Sequence, residues 1–167
     1  MDTEIAALSR YGSRLTDGGF MTVLTLDQAS TIVDQALRKG LEMGLQPLTV
    51  VVLDAGGQLK AMKREDRSSL LRPEIAMGKA WGTLGMGFGG REFARRVASG
   101  GAAFIQALTV ASGGRIVPAP GGVLIRDAAG EIIGAVGISG DTSDKDETCA
   151  VAGIQAAGLT ADTGDPG

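Results

Sequence analysis

Leu48-Thr49-Val50-Val51-Val52-Leu53-Asp54-Ala55-Gly56-Gly57, followed by Gln58-Leu59-Lys60-Ala61-Met62-Lys63, has the pattern of a β-hairpin. The apolar, β-branched run after Pro47 suits a buried strand, because branched side chains pack well on a pleated surface. Asp54-Ala55-Gly56-Gly57 supplies a turn, since glycine accepts the positive φ that tight hairpin turns require. Gln58 to Lys63 then alternates polar and apolar residues and should return antiparallel, with one face toward water.

Upstream, Thr25 followed by Gln28 matches a capping box, and Ala29, Ile32, Val33, Ala36, Leu37 and Leu41 recur at helical spacing. The spacing predicts a helix over about 26–43 that stops at Gly44. Downstream, residues 64–71 form a connection. Pro73 fits the first turn of a helix over about 74–86, whose Gly78, Gly82 and Gly85 offer a smooth face for close packing. Residues 91–108 predict one or two helical pieces split near Gly100-Gly101. Residues 115–119, 122–126 and 131–139 predict three short strands, the last two joined by the turn Asp127-Ala128-Ala129-Gly130. Ser143 is placed to cap a last helix running to about Ala157, with Asp144, Asp146 and Glu147 in its first turn, where negative charge complements the helix dipole.

Strands gathered in hairpins, with helices before, between and after them, indicate an α/β (α+β) domain with an antiparallel sheet rather than a doubly wound parallel one. Residues 1–22 read as a flexible leader, 23–158 as the domain and 159–167 as a polar tail.

A chain of 167 residues with 44% hydrophobic and 21% charged residues is sized for one ordinary globular domain. Its formal net charge of −3 lacks the clustered Lys and Arg that nucleic acid or an anionic membrane surface would require. The N-terminal residues resemble neither a signal peptide nor an anchor, which points to the cytoplasm. One cysteine, Cys149, excludes an intrachain disulfide. The chain contains no histidine, which removes Ser-His-Asp and Cys-His sites within one chain and the usual metal and haem ligand.

The remaining chemistry lies in charged side chains and glycine-rich turns. Arg64, Arg72, Glu74 and Lys79 flank one strand-to-helix connection. The arginines would bind a carboxylate through paired N–H donors, and a partly desolvated Lys79 would act as base or Schiff-base former. The alternative is a solvated salt-bridge network. Gly121-Gly122 after Pro120 can present backbone N–H groups to an anion, or simply turn the chain. Asp146 and Glu147 either complement the helix dipole or move a proton. Asp141, Asp144 and Asp146 offer oxygens to a hard cation, but their spacing does not match a calcium loop, and no metal site is expected. Cys149 is either a thiol activated by a helix N-terminus or a small core residue. Trp81, the single tryptophan, packs in the core or walls a pocket.

In order along the chain, Leu24-Thr25-Leu26, Asp54-Ala55-Gly56-Gly57, Arg64-Glu65-Asp66, Lys79-Ala80, Pro120-Gly121-Gly122-Val123, Gly134 to Gly140 and Asp146-Glu147 resemble the GlcG/HbpS family. The C-terminal domain of PduO-type proteins is similar. The resemblance spans residues 24–158 and implies a profilin-like α/β/α sandwich with a five-stranded antiparallel sheet. It implies homo-oligomers, often octamers, and haem. With no histidine, a haem ligand from this chain would be Cys149, a Met, Tyr11 or a hydroxyl, so no cofactor is firmly implied. Residues and resemblance together predict a small-molecule binder or an enzyme of acid or aromatic breakdown. Arg64, Arg72, Trp81, Gly121 and Gly122 would hold a small organic anion, and Glu74, Lys79, Asp146 or Glu147 would transfer protons in isomerase, lyase or hydratase chemistry. A haem- or corrinoid-related binding module and a structural accessory subunit are the alternatives.

Overall fold

The computed structural model describes residues 22–165, so the leader expected at 1–22 lies, apart from Thr22, outside the described residues. Helix α1 (Leu26–Glu42) opens on the expected capping box: the Gln28 N–H donates to Thr25 Oγ1 at 3.1 Å and the Thr25 N–H donates to Gln28 Oε1 at 3.0 Å. The hairpin follows as β1 (Thr49–Asp54) and β2 (Leu59–Arg64), antiparallel, with Thr49 opposite Arg64. Helix α2 (Arg72–Met86) is followed by α3 (Gly90–Arg96), a π-helical segment over Val97–Gly101, and α4 (Ala102–Ala111). The kink falls at Gly100 (φ 92°), where the sequence places a break. Strands β3 (Gly122–Arg126) and β4 (Ile132–Ser139), helix α5 (Ser143–Ala156) and β5 (Thr160–Asp162) complete the chain.

The five strands form one antiparallel sheet in the order β2-β1-β4-β3-β5. Side chains alternate across it, as the two-residue period of a strand requires. Val50, Val52, Val123, Ile125, Val136 and Ile138 face a core shared with α1 and α5. Val51, Leu53, Leu124 and Ala135 face the opposite layer, where Ala76 and Ala80 of α2 meet them. The result is the three-layer sandwich that the resemblance implies.

Three expectations are corrected. Residues 115–119 are not a strand. Pro118 and Pro120 lack the N–H that a ladder needs, and the segment instead lies along α2, with the Val117 N–H donating to the Gly78 carbonyl at 3.2 Å. The fifth strand comes from the segment read as a polar tail: Thr160–Asp162 pairs with Arg126–Leu124, and Arg126 Nε meets Asp162 Oδ2 at 2.9 Å. At the start of α5, Thr142 rather than Ser143 occupies the cap position, and neither side chain makes the capping hydrogen bond there.

Helix α2 lies unusually close to the sheet. A Cβ added at Gly137 of β4 would sit 1.9 Å from the Ala76 carbonyl oxygen and 2.8 Å from the Ala80 nitrogen. A methyl group there would force helix and strand apart. Gly137→Ala is therefore expected to lose about 3 kcal/mol in urea unfolding. Gly85→Ala, on the exposed side of the same helix with nothing within 4 Å, should gain about 0.5–1 kcal/mol. Equal effects of the two substitutions would show that close approach is not what selects glycine at 137.

Candidate functional site

Helix α2 presents two faces with different chemistry. Its inner face carries Ala76, Lys79, Ala80 and Thr83, all buried. Lys79 Nζ donates to the Ile138 carbonyl at 2.9 Å and to Asp146 Oδ2 at 3.0 Å. The pair is nearly sealed, with side chains only 4% and 1% exposed. Asp146 Oδ1 accepts the Asp141 N–H at 3.1 Å, so both its oxygens are occupied. Burial pushes the Asp146 carboxyl above its ordinary range, and the neighbouring Lys79 ammonium opposes that shift. Removing one partner of such a pair typically costs about 3–5 kcal/mol, because the other charge remains desolvated.

Gly121 lies over this pair at φ 94°; a Cβ there would fall 2.9 Å from Lys79 Nζ and 3.0 Å from Asp146 Cβ. The Gly121 carbonyl accepts the Ile138 N–H at 2.9 Å, and Gly122 begins β3 opposite Gly137. Lys79, Asp146, Gly121 and Gly122 are thus brought together, as a closed knot joining α2, β4, β3 and α5.

Glu147 turns elsewhere. Its Oε1 accepts from Arg91 Nε at 2.6 Å, and Arg91 also meets Asp144 at 3.0 Å and Asp165 at 3.5 Å. Glu147 Oε2 is buried and has no hydrogen-bond partner among the described residues. Burial raises the Glu147 carboxyl above its ordinary range, against the pull of Arg91. The Cys149 thiol sits in the α1–α5 core, and burial pushes it up to about 11, which leaves it a packing residue rather than a nucleophile. Asp141, Asp144 and Asp146 serve separate cations or N–H groups, and the described residues contain no metal-holding cluster.

The outer face of α2 borders a hollow of about 330 Å³, lined by Glu74, Met77, Gly78 and Trp81 together with Arg115 and Val117. The size falls at the lower end of the range for small-molecule sites. Gly78 admits the facing chain, since a Cβ there would meet Val117 Cγ2 at 2.6 Å. The Arg115 guanidinium lies over the Trp81 ring at 3.9 Å, a cation–π contact. Exposed Glu74 stands at the rim. Arg64 and Arg72 line two other hollows. The chain therefore does not gather the residues singled out in the sequence into one recess. Glu74 and Trp81 share a hollow; Arg64 and Arg72 lie apart from it, and Lys79, Asp146 and Glu147 are tied up in ion pairs.

Arg115 and Val117 lie in the stretch whose sequence reads as a strand, and Met77, an apolar helix residue, carries no charge to single it out. The two prolines at 118 and 120 were the available sign of a loop packed on a neighbour.

A family model for haem-degrading HbpS-like proteins matches residues 24–155. The chain belongs to the HbpS-like family. An uncharacterized 15.0 kDa protein of Citrobacter freundii, from the dhaT-dhaS intergenic region, is 30% identical over 130 residues, 78% of this chain and 89% of that protein. Among solved structures, the PduOC:heme complex has a TM-score of 0.75 at 25% identity, covering 86% of this chain and all of the other. HbpS has a TM-score of 0.69 at 26% identity, covering 86% and 96%. The Klebsiella pneumoniae protein ORFY has a TM-score of 0.73 at 25% identity, covering 87% and 98%. This HbpS-like chain has no helix among its described residues long and apolar enough to cross a membrane.

The Asp141 carboxylate accepts the N–H groups of Gln46 and Thr142 and pairs with Lys145, which holds its pKa down to about 2. A carboxyl depressed on folding adds stability above its unfolded pKa, near 3.8, and loses that contribution as the pH falls through the folded value. Asp141→Asn should lower the urea midpoint at pH 7 and flatten its fall between pH 4 and pH 2. Parallel acid profiles for the two proteins would show that Asp141 makes no such contribution.

Proposed function

We propose that this protein binds a flat, largely apolar organic anion in the hollow between α2 and residues 114–117, with Arg115 meeting the negative charge and the Trp81 edge and Met77 the apolar body. The observation that carries the reading is the Arg115–Trp81 stack, which forms one wall of a predominantly apolar recess. A guanidinium held over an indole keeps its N–H edge free for a carboxylate, and the indole edge and Met77 supply soft apolar surface. Ile75 and Val117 extend that surface. Glu74 at the rim is positioned to select against ligands carrying a second negative charge on that side.

Proton-transfer catalysis by Lys79, Asp146 or Glu147 has no support from this hollow, because none of the three lines it. The proposal is therefore binding, with Glu74 the one carboxylate close enough to take part in proton transfer.

Haem belongs to the same class of planar carboxylates, and the PduOC:heme complex favours it as a second reading. The donor set does not fit a conventional haem site: the chain has no histidine and Cys149 is shut in the core. Met77 is the soft donor lining the hollow. No chemistry at a haem iron is assigned to this chain.

Trp81 is the only tryptophan, so its fluorescence reports directly on the hollow. Titration with 2-naphthoate should change that emission saturably, and Arg115→Gln should weaken the affinity about tenfold, as expected for one lost charge-assisted hydrogen bond. Unchanged emission across the millimolar range, or equal affinity in the variant, would defeat the anion reading. In a parallel titration, a defined Soret shift with haemin that disappears in Met77→Leu would favour the haem reading instead.

A further inference from the structure

We propose a second site, distinct from the hollow beside Trp81, that takes a phosphate group at the connection between β2 and α2. A small hollow of about 190 Å³ opens there, lined by Gln46, Arg67, Ser68, Ser69, Arg72 and Gly140 along with Pro47. Its lining contains two guanidinium groups, two serines and an amide, and no carboxylate. At this size it falls below the usual range for drug-sized ligands, of about 300–1,000 Å³, and suits a compact ion or the terminal group of a larger molecule.

Among the described residues, no ion pair engages the guanidinium groups that line this hollow. The ion pairs formed among the described residues occupy Lys63, Lys79, Arg91, Arg95, Arg96, Arg126 and Lys145. Arg64, Arg67 and Arg72 take part in none of them. The nearby acidic residues are engaged or turned away. Glu65 Oε2 accepts the Leu48 N–H at 2.6 Å, Asp141 holds Gln46 N–H, Thr142 N–H and Lys145, Asp146, which feels the charge of Arg72, is bonded to Lys79, and Asp66 lines the neighbouring hollow on the α1 side together with Arg64 and Glu65. Arg67 and Arg72 thus face this hollow with no carboxylate in its lining, while Glu65 and Asp66 of the same stretch line the neighbouring one beside Arg64.

The site is also built rather than merely exposed. Arg72 donates from its NH1 nitrogen to the buried Ser139 hydroxyl at 3.1 Å, which fixes its guanidinium against the end of β4. Arg64 donates to the Ser68 carbonyl. Ser68 is buried and its hydroxyl pairs with that of Thr49 at 3.0 Å. Arg67 is held at φ 67°, the one positive φ at a non-glycine among the described residues. Helix α2 starts at Arg72 with no side-chain capping hydrogen bond, so its positive end adds to the same field. Arginine pairs favour a phosphate oxygen set because the planar fork donates two parallel hydrogen bonds.

The test is calorimetric titration with inorganic phosphate and, separately, with phenyl phosphate, at constant ionic strength so that screening of surface charge is equal throughout. One site per chain with a Kd below about 1 mM is expected for at least one probe. Arg67→Gly suits the backbone better than arginine does, so the fold is retained while the guanidinium is lost. This variant and Arg72→Gln should each weaken binding at least tenfold. Arg38→Gln, an exposed arginine on α1, should leave it unchanged. Binding of inorganic phosphate identifies the free ion as the ligand, and binding of phenyl phosphate alone identifies a phosphomonoester. Absence of heat with both probes, or equal weakening by Arg38→Gln, would overturn the site. Neither outcome touches the 2-naphthoate result at Trp81, so the two proposals fail independently.

Discussion

Helix α2 touches the sheet at backbone distance, and most of the architecture follows from that contact. The approach requires a residue without a side chain at Gly137, under Ala76 and Ala80, and another at Gly122, where a Cβ would meet the Lys79 carbonyl oxygen at 2.7 Å. So close a layer leaves little room for large apolar side chains. The second core is accordingly smaller than the one between the sheet and α1 with α5. The Lys79–Asp146 pair supplies directional interactions where bulk burial is limited, and it reaches across the end of the sheet to bind the last helix to α2. A buried ion pair contributes little net stability compared with an apolar substitute, but it is intolerant of misplacement, since either charge left alone is strongly unfavourable. Its effect here is to fix where α5 begins relative to α2.

That constraint also explains why the charged residues prominent in the sequence do not form a single site. Lys79 has three N–H donors; one goes to a carbonyl and one to a carboxylate, inside a volume that Gly121 closes from above. A lysine so held is committed to the fold, because removing it would leave Asp146 unpaired in the interior. Glu147, one residue on, points about 100° around the helix axis from Asp146 and meets Arg91 rather than Lys79. Adjacent carboxylates on a helix necessarily diverge in this way, so their proximity in sequence carries little information about a shared site.

What the sequence made legible was local. The capping box of α1, the β1–β2 hairpin, the break at Gly100 and the strands β3 and β4 all rest on interactions within a few residues, and all stand in the structure. Residues 115–119 read as a strand from their apolar content, yet Pro118 within them and Pro120 just after them lack the N–H that pairing needs. β5 was missed because Thr160-Ala161-Asp162 carries almost no strand signal of its own; its order comes from pairing with β3 and from the Arg126–Asp162 contact. The candidate site was legible only in part. Trp81 and Glu74 are three to four helical positions from Met77 and Gly78 and so share a face. Arg115, which completes that wall, lies 34 residues beyond Trp81 in a loop whose course is set by tertiary packing alone.

The division of α2 into a sealed inner face and a hollow outer face has a further consequence for how the walls of the hollow are held. The inner face fixes the helix against the sheet, so the outer residues Glu74, Met77 and Trp81 start from a rigid support. The opposite wall is different in kind. Residues 114–117 belong to no helix or strand; the Val117 N–H to the Gly78 carbonyl and the Arg115–Trp81 stack tie them to α2, and buried Ile116 packs beside Gly82 in a cluster with Phe93 and Ile105. The loop is thus anchored at its centre by Ile116, while Arg115 beside it stays exposed at the edge of the hollow. Both walls of the hollow are therefore set by packing that does not depend on a ligand: the helix by its contact with the sheet, and the loop by Ile116.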